Sequence, residues 1–77
     1  MTKRTKFPST PLGLAIRTRR EARRLSLEQL AEACGVDRVT VWRWEVGDIE
    51  PPLSKLRVAA AALATSVVQL VKPQRAA

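Results

Sequence analysis

Histidine and tyrosine are absent from this 77-residue chain, and cysteine occurs once. Without histidine, acid–base catalysis near neutral pH loses its usual carrier and a metal site its commonest ligand. Cys34 has neither a base partner nor a second thiol. No intrachain disulfide can form, and a reducing cytoplasm is the simplest compartment. The position of Cys34 at the end of a helical pattern reads as a small buried apolar residue. Glycine occurs three times, too sparsely for a phosphate-cradling loop. The chain therefore reads as a non-enzyme with no cofactor and no metal. Long apolar runs are missing too. Residues 58–71 lack charge, but fourteen helical residues rise only about 21 Å, short of a bilayer. The apolar stretch 12–16 is too short for a secretory signal core. No membrane partner is expected.

Charge is present and unevenly placed. Residues 1–24 hold eight bases and one acid, whereas residues 25–77 hold six of each. The whole net charge of +7 thus belongs to the N-terminal third. That is the footprint of a binder of anionic polymers, with nucleic acid the leading candidate and an acidic membrane surface or protein as alternatives. A chain this short is near the lower limit for a lone core, so dimerisation would help it. The same length is expected to leave no room for a separate sensing domain.

Residues 1–9 are polar and basic without periodicity, and read as a flexible arm carrying Lys3, Arg4 and Lys6. Residues 10–71 form the single domain. Thr10 and Pro11 fit the N-cap and first position of a helix running to about Arg24, with Leu12, Ala15 and Ile16 inward. Ser26 and Gln29 make a capping box for a second helix, on which Leu30, Ala31 and Cys34 share a face. Gly35 can take the left-handed conformation that ends it. Asp37 caps a third helix, with Val41 and Trp44 turned to the core, and Gly47 stops it. Two short helices joined by such a turn, over residues 26–46, match the unit that sets a helix in the DNA major groove. A fourth helix spans about 53–63, with Leu53, Leu56, Ala60 and Leu63 inward. Residues 66–71 suit either a short fifth helix or, from their β-branched content, a strand. Residues 72–77 read as a disordered tail.

The chain resembles the helix-turn-helix family of phage repressors and Cro proteins, the XRE type. The resemblance runs without gaps from about Leu12 to Leu70. Leu12-Gly13, Ile16, Arg20-Glu21, Leu25-Ser26, Glu28, Leu30-Ala31, Gly35-Val36, Thr40, Arg43-Trp44-Glu45, Gly47, Pro51, Leu53, Leu56, Ala60, Leu63 and Leu70 carry it. It implies an all-α, compact four- to five-helix bundle with the third helix as the reader of double-stranded DNA. It also implies a structural ion pair between Arg20 and Glu45. Base contacts map onto Arg38, Val39, Trp42 and Arg43, with Asp37 better read as a cap. Arg38 can bond bidentately to guanine, and Val39 and Trp42 can press on thymine methyls or sugars. Phosphate contacts are expected from the backbone at Ser26 and Leu27, at the start of the second helix, and from Arg17, Arg19 and Arg23. The chain departs from the family at Leu27, usually Gln, and at Arg19, often Leu. Asp48 and Glu50 stand in a loop that is often basic.

The expected work is transcriptional regulation, most simply repression, by a cytoplasmic homodimer of prokaryotic, phage or plasmid origin on a pseudo-palindromic site. Val67, Val68, Leu70 and Val71 are the expected dimer surface. The rival reading is an antitoxin that binds a toxin protein and represses its own operon, with residues 67–71 as a strand shared between subunits. Controller proteins of restriction–modification operons are similar in length.

Overall fold

The computed structural model describes residues 10–71. Lys3, Arg4, Lys6 and the tail 72–77 lie outside the described residues. Five helices follow in order: α1 Pro11–Ala22, α2 Leu27–Cys34, α3 Arg38–Val46, α4 Leu53–Ala62 and α5 Val67–Val71. Among the described residues there is no strand. α1 packs on α3 and α5, α2 packs on α3 and α4, and α4 meets α5.

Local chemistry sets the helix ends. Thr10 Oγ1 accepts the Gly13 N–H at 2.9 Å and Pro11 opens α1. α1 stops at Ala22, short of Arg24, because Arg24 takes φ 60° and the Leu25 N–H returns to Arg20 O at 3.0 Å. Ser26 and Gln29 form the reciprocal capping box, with bonds of 2.8 and 3.0 Å. Gly35 ends α2 at φ 72° and Gly47 ends α3 at φ 85°. Lys55 Nζ donates to Cys34 O at 3.1 Å, tying α4 to the last carbonyls of α2.

Ile16, Leu30, Val41 and Leu70, from four different helices, are fully buried and centre the core. Ala31, Cys34, Trp44, Leu56, Ala59, Ala60 and Leu63 close around them. Burial pushes the Cys34 thiol above its ordinary pKa, opposed by the Lys55 ammonium. Gly13 sits where α1 abuts the end of α3. A Cβ there would stand 2.5 Å from Glu45 O and 2.6 Å from Trp44 O.

Two expectations are corrected, the inward Leu53 and the dimer-facing Leu70, and the choice left open at residues 66–71 falls to helix. Leu53 is 55% exposed, because the buried stripe of α4 begins one turn later at Leu56. Residues 67–71 are helical, with the Leu70 N–H on Ser66 O at 3.1 Å and the Gln69 N–H on Ser66 Oγ at 3.2 Å. The helix sends Leu70 wholly into the core of the monomer. Leu70 is therefore removed from the expected dimer surface, and Val67 is half-buried against the same core. Val68 and Val71 remain exposed.

Candidate nucleic-acid interface

α3 has one face fixed and one face free. Val41, Trp44 and Glu45 are buried on the inner side. Glu45 is held by Arg20, whose Nε donates to Oε2 at 2.6 Å and whose Nη2 donates to Oε1 at 3.1 Å. Arg20 Nη1 adds a bond to Leu25 O at 2.8 Å, so one guanidinium joins α1, the α1–α2 turn and α3. The carboxylate hydrogen bond raises the Arg20 pKa further above its ordinary value. The pair expected between these residues is thus present with bidentate geometry.

The opposite side of α3 presents Arg38, Val39, Trp42 and Arg43, all exposed. Residues i and i+4 lie above one another, which puts Arg38 with Trp42 and Val39 with Arg43. Leu27, Arg38, Val39 and Trp42 together line a groove of about 190 Å³ between the start of α2 and α3. Three of its lining side chains are largely apolar and the fourth carries a guanidinium, a combination that fits a base edge with a methyl beside it. Asp37 is exposed and acts as a cap. Its carboxylate accepts the Thr40 N–H at 2.9 Å and the Thr40 hydroxyl at 2.5 Å, which hold its pKa below the ordinary carboxylate value.

The expected phosphate ligands are placed less uniformly. The Ser26 N–H is taken up by Gln29 Oε1 at 2.8 Å, so it is not the free amide expected at the start of α2. The capping box leaves the amides of Leu27 and Glu28 for that role. Leu27 is half-buried in the groove wall. Arg17 on α1 and Arg23 at its C-cap are exposed, Arg19 is half-buried, and none of the three lines the groove. Arg17 Nε also holds Glu21 Oε2 at 3.2 Å.

Two acids at this face escaped the sequence reading in their actual setting. Glu28 Oε2 lies 3.5 Å from Arg38 Nε, and Asp48 Oδ2 lies 3.6 Å from Arg43 Nε. In the sequence Glu28 is one of the residues that carry the family resemblance and Asp48 an acid in a loop that is often basic, and neither position points to an arginine partner. Glu28 and Arg38 stand ten positions apart in sequence, a spacing that no local rule pairs. Only the juxtaposed starts of α2 and α3 bring them together.

The sequence matches the family model described as a helix-turn-helix domain over residues 11–71. The P22 c2 repressor, solved in complex with a synthetic operator, is 30% identical with a TM-score of 0.78, covering 82% of this chain and 96% of that one. The restriction–modification controller protein C.AhdI from Aeromonas hydrophila is 33% identical with a TM-score of 0.74, covering 78% and 91%. The hydroxypropylphosphonic acid epoxidase of S. wedmorenis is 34% identical with a TM-score of 0.76, covering 90% of this chain but 37% of the enzyme. Among the solved structures that head the comparison, the share of the other chain that is matched runs from 37% to 96%. No curated protein matches the sequence. The chain belongs to the helix-turn-helix family of DNA-binding regulators, the phage-repressor and Cro type. Among the described residues no helix is long and apolar enough to cross a membrane.

Proposed function

We propose that this chain is a sequence-specific binder of double-stranded DNA that represses transcription as a homodimer on a pseudo-palindromic operator. The observation that carries the reading is the outward stripe of Arg38, Val39, Trp42 and Arg43 on a helix whose other side is locked into the core. The likeness to a repressor solved on its operator supports it. Arg38 reads a guanine through O6 and N7, Val39 and Trp42 contact thymine methyls or sugars, and Arg43 reaches a second base. Leu27 gives a phosphate its amide, and Arg17, Arg19 and Arg23 supply general attraction. Lys3, Arg4 and Lys6 follow a groove from the arm. The homodimer forms through the exposed Val68 and Val71, and sets two copies of α3 in successive major grooves about 34 Å apart.

The antitoxin alternative loses its structural argument, because the residues expected to form a shared strand are helix α5. Selection of bound sites from random duplex DNA with the purified protein tests the reading. A two-fold symmetric site is expected, and Arg38→Ala should weaken binding to it by about 1–3 kcal/mol while relaxing preference at one base pair. Recovery of no preferred sequence would overturn the reading.

A further inference from the structure

We infer that Glu28 and Asp48 are specificity-determining residues that hold the two reading arginines by their Nε edges. The inference rests on the DNA-reading role proposed above for α3. Arg38 Nε faces Glu28 Oε2 at 3.5 Å and Arg43 Nε faces Asp48 Oδ2 at 3.6 Å. Both acids come from outside α3: Glu28 from the first turn of α2, Asp48 from the loop after Gly47. A guanidinium can engage two acceptors through its Nε–Nη edge or through its terminal Nη–Nη edge. With a carboxylate on the Nε side, the terminal edge is left for a base, and it matches guanine O6 and N7 end-on. An arginine already biased by a carboxylate also loses less rotamer freedom on binding.

The same acids act against wrong contacts. A phosphate that reaches Arg38 in random register arrives beside Glu28, and one that reaches Arg43 arrives beside Asp48. Like charges at that range penalise the contact, whereas the guanine edge is neutral. Residues 25–77 hold six bases and six acids, so the reading half has no surplus charge with which to hold unmatched DNA. General attraction falls to the N-terminal third, and α3 is reserved for discrimination. The Arg38–Glu28 pair is exposed on both sides and Arg43 is exposed beside a half-buried Asp48, so these contacts add little to folding and charge-removing variants stay folded.

The test compares the full-length wild type with Glu28→Gln, Glu28→Asp, Asp48→Asn and Arg38→Ala, on the selected site and on random duplex, across a salt series. Glu28→Gln should bind random duplex several-fold tighter, with a log–log salt slope steeper by about 0.9 as Arg38 turns to phosphate. Its ratio of specific to random affinity should fall about tenfold, within the range one bidentate base contact supplies. Asp48→Asn should move the same quantities in the same direction. Glu28→Asp, which keeps the carboxylate, should recover part of the ratio that Glu28→Gln loses. Unchanged ratio, slope and base preference in both charge-removing variants, with a selective wild type and a relaxed Arg38→Ala, would overturn the inference alone. A wild type with no preferred site would overturn the DNA-reading role as well.

Discussion

Arg20 on α1 grips both carboxylate oxygens of Glu45 on α3, at 2.6 and 3.1 Å, and Glu45 is 4% exposed. A buried acid with that geometry is held by its partner rather than by solvent. Removing the guanidinium leaves the charge buried, so Arg20→Ala should cost about 3 kcal/mol, a large share of what a domain this small possesses. Urea unfolding measures it. A double-mutant cycle over Arg20 and Glu45 should give a clear coupling energy, and additive single losses would reject the pair as a structural tie. Replacing both by apolar residues, Arg20→Met with Glu45→Leu, should recover much of the loss. Recovery is incomplete because Leu25 O also loses its donor.

Gly13 is where α1 and α3 touch by backbone alone. Alanine is the better helix former there by about 1 kcal/mol. Against that stands a Cβ placed 2.5 and 2.6 Å from two α3 carbonyl oxygens, which only a backbone shift can relieve. Overpacking of this kind costs about 1–3 kcal/mol, so Gly13→Ala should destabilise on balance. The thermal midpoint should drop by about 4–8 °C for each kcal/mol lost. A midpoint equal to or above that of the wild type would show that α1 can withdraw from α3 freely.

These two relationships mark the border of what the chain discloses before folding. Ser26 with Gln29, Gly35, Asp37 and Gly47 are signals carried by neighbours in sequence, and α2, the turn and α3 follow from them within a residue. The outward stripe on α3 follows from helical period once Val41 and Trp44 are set inward. Arg20–Glu45, 25 residues apart, was accessible only through family resemblance. The close approach at Gly13 had no local sign, since a helical glycine looks the same whether crowded or free. Leu53 and Leu70 were misplaced for one reason. Both lie at element ends, where periodicity says which face a residue occupies but not whether another helix covers it. Arg24 and Ala64, non-glycine residues at φ 60° and 58°, likewise end α1 and α4 against their own preference.

Asp37 gives a pH signature. Its pKa lies below the ordinary carboxylate value of 3.8, chiefly because the Thr40 hydroxyl bonds it and then because the Thr40 N–H does. A carboxyl depressed by folding contributes stability that is fully present above its unfolded pKa. That stability is lost as pH falls through the lower folded pKa. Asp37→Asn keeps a capping oxygen without the charge. The wild type should therefore be the more stable of the two at neutral pH, with the gap closing below about pH 4. Urea midpoints for both proteins across that range measure it. A gap that persisted unchanged into strong acid would assign the capping effect to hydrogen-bond geometry and not to the charge.

Trp42 and Trp44 stand two residues apart on α3 and point to opposite surroundings, 45% and 2% exposed. One protein therefore carries a probe of the interface and a probe of the core. Acrylamide should quench Trp42 readily and Trp44 scarcely. In Trp44→Phe, where Trp42 alone emits, saturating operator DNA should shield the indole and reduce quenching several-fold, because an aromatic ring against sugar or base leaves the collider no approach. In Trp42→Phe, the buried Trp44 should respond equally with and without DNA, since the core does not reopen on binding. Should the core substitution unfold the protein, the accessible component of the wild-type signal reports the same shielding. Trp42 quenching that is indifferent to bound DNA would remove that residue from the interface and leave Arg38 and Val39 to read the site without it.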